Sequence, residues 1–172
     1  VLNQMLSSDA AAFRPGADWN RWDYGAALDA ALEENGFYEA AHEEELGTIA
    51  AALMINRTAQ VPVAVECAAS ALIGPFLGRA VPRPLAVVVD DAPGAIRFLP
   101  VARGLVSIGG DGVRYAELPQ GAVRAVDSLY AYPMGVVDRD ALDWVQLDAD
   151  PAALRVLWTV AVAAELTGVL RA

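Results

Sequence analysis

Few side chains in this sequence belong to types that do chemistry, and their spacing limits what they can do. His42 is the single histidine among 172 residues and sits beside Glu43, Glu44 and Glu45. An HExxH motif or a multi-histidine zinc site cannot be built from it, and any His relay would have to use His42 itself. A surface histidine is the plainer reading. The three glutamates suggest a cation site, but adjacent helical positions fan outward, so a solvated face accounts for them better. Cys67 lies in an apolar run with nothing nearby to lower its pKa and reads as a small core hydrophobe. Gly109-Gly110-Asp111-Gly112 resembles a phosphate loop. Such loops need a following helix whose N–H groups face the anion, whereas a strand follows here, which makes a hairpin turn. Asp90-Asp91 ends a strand before Pro93-Gly94 and is read as a turn, with a ligand-facing loop as the alternative. Asp138, Arg139 and Asp140 read as a solvated turn. These residues define no metal site and no catalytic residue, and leave cofactor-binding residues unassigned.

The totals exclude more. Formal net charge is −10 with a pI near 4.4, which argues against binding to a phosphate backbone, so no nucleic-acid partner is expected. All twelve basic residues are arginines, so no lysine Schiff base can form within this chain. One cysteine permits no intrachain disulfide and points to a reducing, cytoplasmic compartment. No signal peptide is read ahead of the first helix, and the initial Val leaves room for residues upstream. The apolar share is 56 % and mean hydropathy is +0.35, both high for a soluble domain. The longest apolar stretches are cut by Glu66, Glu165, Gly or Pro. None reaches the ~18 uninterrupted residues of a spanning helix, so no membrane span is expected. The apolar excess fits a buried core, a large subunit interface, or both.

The elements that must position these residues follow from periodicity. Residues 1–13 suggest a short helix and 14–22 a loop. Asp23 can cap a helix from 24 to about 35, with Ala27, Leu28, Ala31 and Leu32 as its buried stripe and Gly36 past its end. Residues 37–45 read as a solvated connection or first turn. The centre of the chain is 44–74. Leu46, Ile49, Ala50 and Leu53 keep helical spacing, as do Val65, Ala68, Ala69, Leu72 and Ile73. With Pro62 at a first helical turn, this predicts helices over about 46–60 and 62–74, joined by a corner. From Gly78 to Leu147 short β-rich runs alternate with turn signals. Candidate strands are 85–89, 96–99, 105–108, 113–118, 123–126, 134–137 and 144–147, the pattern of an antiparallel sandwich or barrel. Asp150 and Pro151 open a final helix over 152–172 that is apolar nearly all round. Such a surface needs covering by neighbouring helices or another subunit.

The predicted class is α+β. An N-terminal helical domain spans 1–78, a small antiparallel β domain (barrel or sandwich) spans 79–149, and the first helix of a C-terminal bundle spans 150–172. This order resembles the acyl-CoA dehydrogenase family. ALDAALEENGF (27–37) is similar to the family's second helix, and EELGTIAAALMINRTAQVPVAVECAASALIGPFL (44–77) to the helices that follow a Pro corner. PLAVVVDDAPGAIRFLPVARGLVSIGGDGVRYAEL (84–118) resembles the strands of a shortened middle domain, and ALRVLWTVAVAAELTGVLRA (153–172) the first long bundle helix. The resemblance implies FAD as cofactor, acyl-CoA as ligand, and a homo- or hetero-oligomer with a dehydrogenase-like subunit.

The departures bear on chemistry. Where the family carries a Thr-Glu-Pro…Gly-Ser-Asp phrase that contacts flavin, this chain reads Val89-Asp90-Asp91-Ala92-Pro93-Gly94. The Trp-containing strand beside the isoalloxazine has no counterpart. The family's catalytic carboxylate and Arg-containing flavin segment lie further along the bundle than residue 172. The family's reaction removes a proton α to a thioester and passes a hydride from the β carbon to flavin, so it requires a positioned carboxylate base. The expectation is a truncated or degenerate dehydrogenase-like subunit or fragment without that base, in which the partner supplies it and holds most or all of any flavin. The alternative is a non-catalytic interaction or ligand-binding module that keeps the fold. A third reading is an unrelated α+β protein.

Overall fold

The structure is a computed structural model that describes residues 24–45, 47–127 and 132–172. The helix expected within 1–13, the loop at 14–22, the cap at Asp23 and the stripe position Leu46 lie outside the described residues.

The chain is an α+β protein. Its helices are α1 (Ala26–Glu34), α2 (Gly47–Thr58), α3 (Ala68–Leu72) and α4 (Pro151–Val169), with 3-10 turns at Phe37–His42, Gly74–Phe76 and Arg139–Ala141. Its strands are β1 (Leu85–Val89), β2 (Ile96–Arg97), β3 (Gly104–Gly109), β4 (Gly112–Glu117), β5 (Val123–Val126), β6 (Met134–Val137) and β7 (Val145–Leu147). Four strands form one sheet in the order β1-β3-β4-β7, and three form a second in the order β2-β6-β5. No closed barrel forms among the described residues.

Strand alternation divides the larger sheet's neighbours. Leu85, Val87, Val106, Ile108 and Tyr115 face a core shared with Ile73, Leu77 and Leu154 of the helical layer. Ala86, Val88, Leu105 and Ala116 face the other way, onto Ile96, Leu99 and Val123 of the smaller sheet's side. The helices share a further core around Leu28, Leu32, Ala51, Met54, Ile55, Leu72 and Ala161. The larger sheet therefore lies between helices and the smaller sheet.

Several expectations require correction. The β region is not purely antiparallel, because β1 pairs β3 in parallel, Leu85 opposite Gly104 through Val89 opposite Ile108. A parallel neighbour needs a crossover, and the chain between the two strands visits the other sheet as β2 to make it. The helix expected at 62–74 shrinks to Ala68–Leu72. Pro62 does not open it, because the chain at Ala64 bridges Tyr24 and accepts a 2.9 Å bond from the Gly25 N–H, an extended conformation. Helix α2 buries Gly47, Ala51, Met54, Ile55 and Thr58. Ile49 and Leu53 of the expected stripe are 61 % and 62 % exposed. In α1 the buried face is Leu28, Asp29 and Leu32, with Ala27 exposed. Residues 37–45 are not wholly solvated, since Tyr38 and Ala41 are buried.

Helix α4 begins as expected. The Asp150 carboxylate accepts from the Ala152 N–H at 2.8 Å, and Pro151 occupies the first turn. The helix ends at Val169 rather than at 172, and by length and composition alone Pro151–Val169 is long and apolar enough to cross a bilayer. A helix packed between others passes the same test.

Candidate functional site

Of the residues singled out by type, the structure brings together Asp90-Asp91 and Arg139, at the turn after β1 described below; the others do not assemble. His42 and Glu43 to Glu45 are exposed, with the His42 ring 6.2 Å from that of Phe76. Cys67 is buried, and desolvation pushes its thiol well above the ordinary range, so it stays protonated and inert. The hairpin expected at Gly109–Gly112 forms, with those two glycines paired across its end. Asp138 accepts from the Asp140 N–H at 3.2 Å and caps the 3-10 turn. Among the described residues no group of three His, Cys, Asp or Glu side chains could hold a metal ion.

Among the described residues the buried charges, which sequence reasoning shows only as breaks in apolar runs or passes over, form three networks. Asp29 accepts from Tyr38 Oη at 2.6 Å and Tyr24 Oη at 2.8 Å, and pairs with Arg83, whose guanidinium lies 3.5 Å over the Tyr38 ring. Burial, reinforced by the nearby Asp29 carboxylate, raises both tyrosines, so both stay protonated donors. Glu66 is fully buried. It accepts from the Ala69 N–H at 2.7 Å, the Ser70 N–H at 3.2 Å, the Leu85 N–H at 3.4 Å and the Ser70 hydroxyl. Glu165 pairs with Arg97, whose guanidinium lies 5.1 to 5.6 Å from the rings of Phe98, Tyr132 and Trp158. Each of these carboxylates is committed to holding elements together.

A fourth cluster is at the surface, on the turn after β1. Asp90 and Asp91 both take left-handed backbone, with φ of 52° and 49°. Both nitrogens of the Arg155 fork donate to Asp90, which holds its carboxyl below the usual range. Arg114 from β4 and Arg139 from the 3-10 turn approach opposite oxygens of Asp91 at 3.6 and 3.7 Å. The loop alternative for this turn thus acquires three arginines from three different elements.

The largest feature is the outer face of α4. The helix buries Leu154, Ala161, Glu165 and Gly168, a seam at helical spacing. Asn56 of α2 fixes that seam by donating to the Ala164 carbonyl and the Thr167 hydroxyl, each at 2.9 Å. With Glu165 turned inward and Arg155 held by Asp90, the opposite face carries Val156, Val160, Leu166, Val169 and Leu170, all exposed, Leu170 by 85 %. Ile49 and Leu53 of α2 are exposed as well. Trp158 is half-buried and packs against both helical cores, so it belongs to the fold rather than to this face.

Comparison with protein-family models, curated proteins and solved structures returns no match to this chain.

Proposed function

We propose that this chain is an acyl-CoA dehydrogenase-like subunit or fragment that contributes scaffold and interface, with the catalytic base and most flavin contacts coming from outside it. The observation that carries the reading is the charge-free apolar face of α4, a long helix packed on one side and uncovered on the other, as a bundle helix would be before its neighbours join it. The element order supports it too. Helices precede the strands, and the apolar helix follows them.

The resemblance implies flavin, and the residues present do not fit it. Segment 89–94 has no hydroxyl side chain to offer, and both of its carboxylates already engage arginines. No flavin-dependent step is therefore assigned to the residues of this chain. A specific observation also favours the alternative, a non-catalytic interaction module. Every buried carboxylate among the described residues (Asp29, Glu66 and Glu165) is occupied by structural partners.

A visible spectrum separates the two. The dehydrogenase-like reading expects a flavin band that bleaches on adding an acyl-CoA when the chain is purified with a co-expressed dehydrogenase-like neighbour. A complex that stays colourless sinks that reading in favour of the interaction module.

A further inference from the structure

The turn after β1 gathers three of the twelve arginines of a chain whose net charge is −10. Arg114, Arg139 and Arg155 converge on Asp90 and Asp91, three guanidiniums paired with two carboxylates. The two aspartates are held very differently. Asp90 is clasped by both arms of the Arg155 guanidinium. Asp91 has no such bond. Its carboxylate is 63 % exposed and lies 3.6 Å from Arg114 and 3.7 Å from Arg139, beyond hydrogen-bond length.

Both arginines are nevertheless built in. Arg114 lies 5.3 Å from the Trp144 ring centroid. Arg139 Nη2 donates to the Ala92 carbonyl at 3.2 Å and, more weakly, to the Asp91 carbonyl at 3.4 Å, while Trp144 Nε1 donates to the Arg139 carbonyl at 2.8 Å. Arg139 Nη1 is buried from solvent and makes no hydrogen bond. A buried donor without an acceptor is costly, and here two fixed guanidiniums flank a loosely held anion. The planar Arg114 fork, which can grip two oxygens, together with the unpartnered Arg139 Nη1 suits a tetrahedral dianion better than one carboxylate at arm's length.

We propose that Arg114 and Arg139 form a binding site for a phosphate dianion, inorganic or carried as a monoester, with the Asp91 carboxylate as its resident tethered anion. An incoming phosphate displaces Asp91 into solvent, where its exposure already places much of it. Such a site is independent of the dehydrogenase-like reading.

Replacing Asp91 by Asn removes the competing charge and keeps a residue that tolerates left-handed backbone. The probes are inorganic phosphate and a nucleoside monophosphate, titrated separately at ionic strength held constant with chloride. The readout is the Trp144 indole N–H resonance, which borders the site through Arg139. If Asp91 fills the site about nine-tenths of the time, Asp91→Asn tightens phosphate about tenfold over the unaltered chain. Adding Arg114→Gln should abolish the gain. A tighter monoester than inorganic phosphate would identify the ligand as one carrying its phosphate on a larger body, and equal binding would identify free phosphate. Equal affinity in the unaltered chain and Asp91→Asn, no phosphate-specific shift in either, or a gain that survives Arg114→Gln would each overturn the site.

Discussion

Glu66 shows how one side chain joins two layers. Its carboxyl takes the Ala69 and Ser70 N–H groups in the first turn of α3 and the first N–H of β1, so helix and sheet are fastened through a single buried group. Burial raises its pKa, while the Ser70 hydroxyl, the Ala69 N–H, Arg97 and the Leu85 N–H oppose the rise. The net direction fixes a pH dependence. Glu66 holds its proton more tightly folded than unfolded. Its contribution therefore favours the fold in acid and is lost as pH rises from the ordinary carboxylate range through the raised folded value. Urea midpoints measured from about pH 4 upward should show that decline, and Glu66→Gln should flatten it while lowering stability by about 2 kcal/mol through mismatched donors. A pH profile unchanged by the substitution would mean that the donors, not burial, set the ionisation. The sequence displays Glu66 only as an interruption of an apolar run. Its partner Leu85 is far along the chain, and local periodicity carries no information about such a bond.

At the scale of elements, legibility tracks how local the determinant is. The Gly109–Gly112 hairpin and the Asp150-Pro151 helix start are written in adjacent residues, and both form. The parallel pairing of β1 is not local. Its one trace is the unbroken apolar run LAVVV, since a strand buried on both faces loses the alternation of a half-exposed one. The exposed face of α2 is misassigned from periodicity because Ala, Leu, Met and Ile occur all round that helix, so period alone selects no side. What selects it is the approach of α4 at Gly168. A Cβ there would collide with the Asn56 carbonyl oxygen and lie 2.8 Å from Ala59 Cβ. On an exposed helix, Gly→Ala gains up to about 1 kcal/mol in propensity. At this crossing the neighbour is backbone and cannot yield, so overpacking of about 2 kcal/mol wins. Gly168→Ala should lower the thermal midpoint, and a rise would show that the two helices are further apart than the crossing requires.

For the whole molecule, the open question is what meets the outer face of α4. Its composition suits a bilayer as well as a protein, but its attachments separate the two. To span a membrane, α4 would have to leave Asp90, Arg97 and Asn56, exposing Arg155 and Glu165 to lipid. A charged residue at the centre of a spanning helix costs about 3 kcal/mol, on top of the broken pairs. A protein partner requires none of this. It would cover Val156, Val160, Leu166 and Leu170 and leave the inner seam intact. Leu166 is exposed and lies outside the packed cores, so Leu166→Glu should leave the monomer within about 0.5 kcal/mol of its original stability. It should abolish association. The unaltered chain should elute above its 18.1 kDa monomer mass at high concentration, and Leu166→Glu should elute as the monomer. Co-flotation of the unaltered chain with neutral lipid vesicles, lost in Leu166→Glu, would instead assign the face to membrane and remove the subunit reading. Identical monomeric elution of both chains at every concentration would leave the face without the self-association its apolar surface calls for.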